Sequence, residues 1–306
     1  MTVKVYRSAK AQKCILDTYN QLLALWDIDK EERDITTSYG TTHVIQWGKE
    51  DAPPLVLFHG VGDDSALMWI YNAKALGQHF RLYAIDTIGG PGKSVIGEKY
   101  DKTFDGIRWI DEVLAGLGLS EVKASFMGVS HGGYLVQLYT LHRPESVDKA
   151  ISLAAAVPAG KNGNSMRTMM RIFLPEALFP TKNNIARLLR KLAGANYKVF
   201  TENPLIMEHY TWLLKGFNTM AMTYHKVRGF SDQEVKQLRD KVFYLVGLDD
   251  PFEKMGGAEA LRAYDMNARF YEGAGHGINH EIADEINQMV IDIMQGHVID
   301  LRLHSH

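Results

Sequence analysis

The chain has 306 residues, 46% of them hydrophobic and 23% charged, with a formal net charge of −2. That length supports one large domain, or a domain with an insertion, and the near-neutral charge offers no footprint for nucleic acid or an anionic membrane surface. The single cysteine, Cys14, excludes an intramolecular disulfide and a multi-cysteine metal centre and fits a reducing, cytoplasmic setting.

The opening MTVKVYRSAK lacks the apolar core of a secretory signal. The longest apolar run, AISLAAAVPAG from Ala150, is too short to cross a bilayer. Ile15, Leu16, Tyr19, Leu22, Leu23 and Trp26 recur at helical spacing and predict a helix from Ser8, its cap, to Trp26. Two short strands follow, Asp34–Ser38 and Thr42–Trp47, split by Gly40. Leu55 to Phe58, between Pro54 and Gly60, is apolar without alternation and reads as a strand buried on both faces.

A regular alternation then sets in. Helix is expected over Ser65–Leu76, strand over Arg81–Ile85, helix over Thr103–Leu117 and strand over Val122–Val129. Helix His131–Leu141 and strand Lys149–Leu153 complete this half. The rhythm breaks over residues 157–237, which read as helical. It resumes with strand Lys241–Gly247, helix Ala258–Tyr264, strand Ala268–Tyr271 and helix Ala283–Met294. Eight strands alternating with helices imply an α/β fold with a mainly parallel sheet and right-handed crossovers. The expected organisation is a core of residues 1–156 and 238–306 carrying a helical cap at 157–237, set over the carboxyl ends of the strands. The tail LRLHSH, with His304 and His306, reads as a frayed terminus rather than a metal site.

The stretch MGVSHGG, Met127 to Gly133, joins an apolar strand to a helix. In that context Gly-x-Ser-x-Gly places a serine, Ser130, on a sharp turn as a nucleophile. Side chains at positions 128 and 132 would clash where strand and helix come close. A serine hydroxyl needs a base. His276, in GAGHGINHE, lies just after the last strand, and Asp249 and Asp250, in LVGLDDPF, just after the strand before it. His276 is expected to take the serine proton, oriented by the acid. Asp250, fourth from Gly247, is favoured as that acid, with Asp249 as the alternative and a turn residue otherwise; His280 is the weaker competitor for the base. The backbone N–H groups of His131 and Val61, the latter in HGVGDD, are the expected oxyanion donors. The His59 side chain is expected to brace its loop, and no metal-ligand spacing unites His59, His131 and His276.

VLFHGVG, AIDTIGGPGKS, GVSHGG, VGLDDPF and GAGHGINHE stand in the order of the α/β-hydrolase superfamily, which the chain resembles over nearly its whole length outside the insertion. More narrowly, the opening helix and THVIQWGKEDAPPLVLFHG resemble bacterial carboxylesterases of the naproxen-esterase kind. Those enzymes often carry glutamate at the acid position, where this chain has Asp250. The nucleophile is Ser130, not the aspartate of haloalkane dehalogenases, and His131 follows it, not the tryptophan of proline iminopeptidases. GGPGKS lacks the first glycine of a phosphate loop and reads as a structural turn.

The resemblance implies a serine hydrolase with no cofactor and no metal, whose partner is a small-molecule ester and not nucleic acid or membrane. Met166, Met169, Met170, Met207, Met220 and Met222, with Phe173, Trp212 and Phe217, pack the insertion and offer an apolar lining for small to medium hydrophobic esters. Arg167, Arg171, Arg187 and Arg190 read as a solvated face. The same triad would serve amide, lactone or carbon–carbon hydrolysis or cofactor-free haloperoxidase-like chemistry. A slow-turnover binding or signalling protein is the alternative from another class. Oligomeric state leaves no signature in the sequence.

Overall fold

The computed structural model describes residues 3–158, 170–174, 176, 178–252, 255 and 257–297. Met166, Arg167, Met169, His304 and His306 therefore lie outside the described residues. Among the described residues nine strands form one sheet. They are β1 (Lys30–Thr37), β2 (Gly40–Trp47), β3 (Pro54–Phe58), β4 (Arg81–Ile85), β5 (Val95–Ile96), β6 (Ala124–Val129), β7 (Val147–Leu153), β8 (Val242–Gly247) and β9 (Asn267–Tyr271). Eight run in the order β1-β2-β4-β3-β6-β7-β8-β9, and β5 pairs with β2 beside them. The eight expected strands are all present; β5, with two residues, is too short to carry a periodic signal. β2 is antiparallel to β1, β4 and β5, and every pairing from β4 to β9 is parallel.

The central strands are apolar on both sides because both sides are covered. Leu55 and Leu57 enter one core cluster, and Val56 and Phe58 enter another across the sheet. Met127 and Val129 join the first, Phe126 the second. Each such side chain removed from water contributes about 1.5–3 kcal/mol. The flanking helices are α1 (Ala9–Ala24), α4 (Gly106–Gly116), α5 (His131–His142), α10 (Ala258–Ala263) and α12 (Ala283–Gln295), with short α2 (Ser65–Met68), α3 (Ala73–Leu76) and α11 (Ile278–Glu281). Ser8 caps α1 by accepting the Ala11 N–H, as expected.

One predicted helix is divided. Ser65–Leu76 forms α2 and α3 because side chains from α11 occupy the carbonyls a continuous helix would use. His280 Nε2 lies 3.0 Å from the Leu67 carbonyl, and Asn279 Nδ2 donates to that of Met68 at 2.7 Å. Neither partner is adjacent in sequence, so local propensity did not reveal the break.

Between β7 and β8 the named elements are helical: α6 (Lys182–Leu192), α7 (Lys198–Thr201), α8 (Pro204–Gly216), a 3₁₀ turn (Thr219–Tyr224) and α9 (Asp232–Leu238). α8 lies on α1 closely enough that a Cβ on Gly216 would come within 2.6 Å of the Ala11 Cβ. The segment before α1 runs beside the end of α8, with Arg7 N–H donating to Gly216 and Asn218 N–H to Val5, both at 2.8 Å.

Sheet order positions the site. The chain steps from β3 to β4 on one side and then returns to place β6 on the other. That reversal opens a crevice at the carboxyl ends of β3 and β6, where open α/β sheets bind ligands. The loop holding Val61 leaves β3 there, and Ser130 follows β6.

Candidate active site

Ser130 adopts φ 56° and ψ −115°, a conformation uncommon for a side-chain-bearing residue, between β6 and α5. Its N–H donates to Leu153 at 2.9 Å, and its carbonyl accepts the Tyr134 N–H at 3.0 Å. The glycines around it are sterically required. A Cβ on Gly128 would lie 2.2 Å from the Gly132 backbone, and one on Gly132 would lie 2.1 Å from the Phe58 carbonyl oxygen. Among the described residues the Ser130 hydroxyl makes no hydrogen bond. Gly60 is its neighbour, with space for a Cβ 3.4 Å from the serine Cβ.

His276 follows β9, and its Nδ1 lies 2.8 Å from Asp250 Oδ2. The other Asp250 oxygen accepts the Phe252 N–H at 2.8 Å, so both carboxylate oxygens are held. Asp250 is buried and Asp249 exposed, and only Asp250 meets the imidazole. Burial alone would lower the His276 pKa, but the Asp250 carboxylate beside it prevails and raises it above 6.5. The Phe252 ring lies 4.6 Å from the imidazole centroid, and Phe173 packs on Phe252 at 6.4 Å.

The competing histidine is elsewhere. His280 sits in α11 against Phe200 and Tyr71, bonded to the Leu67 carbonyl, and burial pushes its pKa down to about 4. His59 is buried and engaged at both nitrogens: Nδ1 meets the Gly60 carbonyl at 2.8 Å, and Nε2 accepts the Thr87 N–H at 2.9 Å. The His131 ring stacks on Tyr134 and meets His225 edge-on, and burial lowers its pKa well below the usual value. Neither the Val61 nor the His131 amide enters a backbone hydrogen bond among the described residues. The Val61 side chain is 48% exposed. GGPGKS wraps Asp86, whose carboxylate accepts the Lys93 N–H at 2.7 Å, so the loop is a structural turn. Among the described residues no group of three or more histidine, cysteine, aspartate or glutamate side chains could hold a metal ion.

Asp64, Asp63 and Glu281, carboxylates in the recognised motifs, received no role from the sequence. Asp64 is buried, caps α2 through the Leu67 N–H, and places Oδ2 2.8 Å from His209 Nε2 on α8. His209 Nδ1 in turn lies 2.7 Å from the Thr18 hydroxyl of α1. Asp63 is buried beside it, and burial, reinforced by the Asp64 charge, lifts its pKa to about 7. Glu281 accepts backbone N–H groups on both sides of His276. Paired aspartates after the β3 loop were the available signal for the first two. For Glu281 the only hint was a carboxylate at the end of GAGHGINHE, whose amide partners the sequence does not display.

A mainly parallel sheet, a serine on a strained strand-to-helix turn and a histidine–aspartate pair after the last two strands define a protein class. The chain belongs to the α/β hydrolase fold family, whose model matches residues 53–281. It is similar to carboxylesterase YbfK of Bacillus subtilis, 27% identical over 91% of this chain and 92% of that protein. It is likewise similar to the uncharacterized carboxylesterase nap of the same organism, 28% identical over 90% of each. The fold matches the crystal structure of naproxen esterase from Bacillus subtilis with a TM-score of 0.77 at 24% identity, covering 94% of this chain and 99% of that one.

Proposed function

We propose that the chain is a serine carboxylesterase for small to medium hydrophobic esters. Ser130 is the nucleophile, His276 the general base and Asp250 its orienting acid. The Val61 and His131 amides hold the oxyanion. The observation that carries this reading is the 2.8 Å pair of His276 and Asp250 at the same sheet edge as a serine held at φ 56°.

His276 removes the hydroxyl proton as Ser130 Oγ bonds to the ester carbonyl carbon. The carbonyl oxygen takes up negative charge between two amide donors at the start of α5 and the β3 loop. Collapse breaks the ester C–O bond, and the imidazolium returns the proton to the leaving alkoxide. Water, deprotonated by His276, then releases the acid from the acyl-enzyme. In resting enzymes the serine–histidine bond is often long and tightens on substrate.

Residues 157–237 serve as a cap over a core of residues 1–156 and 238–306 in this reading. Apolar groups at the site, including Phe252 over the imidazole and exposed Val61, support a hydrophobic substrate. A lone thiol supports a cytoplasmic location, and among the described residues no helix is long and apolar enough to cross a membrane.

The test is labelling with a fluorophosphonate followed by turnover of p-nitrophenyl esters of graded chain length. Wild type should label and turn over short esters fastest, and Ser130→Ala should do neither. Equal labelling of both proteins rejects Ser130. Labelling without ester turnover transfers the assignment to amide, lactone or carbon–carbon substrates or to a binding protein.

A further inference from the structure

Glu281 ends α11 and is 7% exposed. Its Oε2 accepts the Gly194 N–H at 2.6 Å. Both its oxygens reach the Gly275 N–H at 3.1 Å, and Oε1 accepts the Gly277 N–H at 3.1 Å. Gly275 and Gly277 flank His276, and Gly194 follows α6. The carboxylate therefore grips the histidine loop on both sides and ties it to the helical segment beyond β7.

This grip sits in a seam. The His276 N–H donates to the Leu192 carbonyl at 2.7 Å, and the Ala195 N–H donates to that of Gly273 at 2.7 Å. The backbones are too close for side chains. A Cβ on Gly275 would lie 2.4 Å from the Leu192 oxygen, one on Gly194 would lie 2.1 Å from the Gly273 oxygen, and one on Gly277 would meet the Phe200 ring at 2.4 Å. Glu281 has no salt-bridge partner among the described residues. Charge-assisted bonds from three amides are what compensate the buried charge.

We propose that Glu281 is a positioning residue for His276, fixing its loop and coupling the Leu192–Ala195 segment to the imidazole. The inference rests on reading His276 as the base. A carboxylate is suited to the task because it is an acceptor only, and three convergent N–H groups leave no place for an amide or hydroxyl proton. Three carboxylates act on the imidazole: Asp250 from the loop after β8, Glu281 from α11 and Asp63 from the loop after β3. Each favours the imidazolium formed when the serine proton is taken. Burial raises the pKa of Glu281 itself, and the Gly194, Gly275 and Gly277 amides oppose that rise.

The experiment compares wild type, Glu281→Gln and Glu281→Asp by fluorophosphonate labelling and by kcat and KM against pH. A wild type that does not label defeats the esterase reading on which the proposal rests, and the failure is told apart from failure of the clamp by hydrogen exchange at Gly194, Gly275 and Gly277. Given labelling, Glu281→Gln should lose kcat by about a hundredfold through a displaced base, with KM within about twofold of wild type. The midpoint of its acidic limb should move to lower pH, because a charge favouring the imidazolium is gone. Glu281→Asp should also lose kcat but keep the wild-type midpoint more closely. A Gln variant of wild-type kcat and midpoint overturns the proposal, as does one that is less stable with an unmoved midpoint. If the Gln chain does not fold, hydrogen exchange in wild type decides. Protected Gly194, Gly275 and Gly277 amides support the clamp, and open-loop exchange rates overturn it.

Discussion

At the residue scale the two aspartates after β8 differ in burial and aim. Only Asp250 holds the imidazole, so Asp250→Asn should lower kcat by about 10,000-fold through the wrong tautomer, as removal of the orienting acid does in such triads. Asp249→Asn should stay near wild type in the same ester assay. The raised pKa of His276 makes the acidic limb of kcat/KM fall with a midpoint above 6.5. A midpoint below that value would mean that burial, not Asp250, dominates. Asp63 makes an independent stability prediction. Its pKa rises from 3.8 unfolded to about 7 folded, so between those values the folded chain binds more protons and stability declines as pH rises. Asp63→Asn keeps the acceptor for the Asp64 N–H and removes the charge. It should raise the unfolding midpoint at pH 8 by an amount worth on the order of a few kcal/mol and leave it unchanged at pH 3.

At the element scale, joints between elements carry what the sequence concealed. The Ser130 turn was legible because its glycines are adjacent in sequence and their steric need is local. The central strands were legible from uninterrupted apolar runs such as Leu55–Phe58, and β1 and β2 from the turn residue Gly40 between them. The division of α2 from α3 was not, since Asn279 and His280 arrive from the far end of the chain. Nor was the bridge from Asp64 through His209 to Thr18, which unites the β3 loop, α8 and α1. Side-chain atoms of Asp64 and His209 are both fully buried, so removing one partner strands the other. Asp64→Ala should cost about 3 kcal/mol in chemical denaturation. A loss under about 1 kcal/mol would show that water replaces the carboxylate.

At the scale of the whole molecule, the joints that bind the helical stretch between β7 and β8 to the rest include the α1–α8 contact, the histidine-loop seam and the strap of residues before α1. The first depends on Gly216. Gly216→Val would force the Ala11 Cβ and Ile15 apart from α8, since even a Cβ meets them at 2.6 and 3.2 Å. The expected cost is about 1–3 kcal/mol of stability, measurable as an earlier thermal transition. Such joints were invisible in the sequence because each pairs residues far apart along the chain, whereas the chemical groups themselves sit in short motifs.

The order of strands in the sheet also has a temporal consequence. β3, β4, β6 and β7 all precede the helical stretch, whereas β8 and β9, which deliver Asp250 and His276, come last in the chain. As the polypeptide leaves the ribosome, the serine turn and its flanking loop can be complete while no proton acceptor yet exists. On the proposed reading, a nascent or prematurely ended chain is chemically silent until β8 docks against β7 and β9 against β8. Hydrolysis thus arrives only with completion of the sheet.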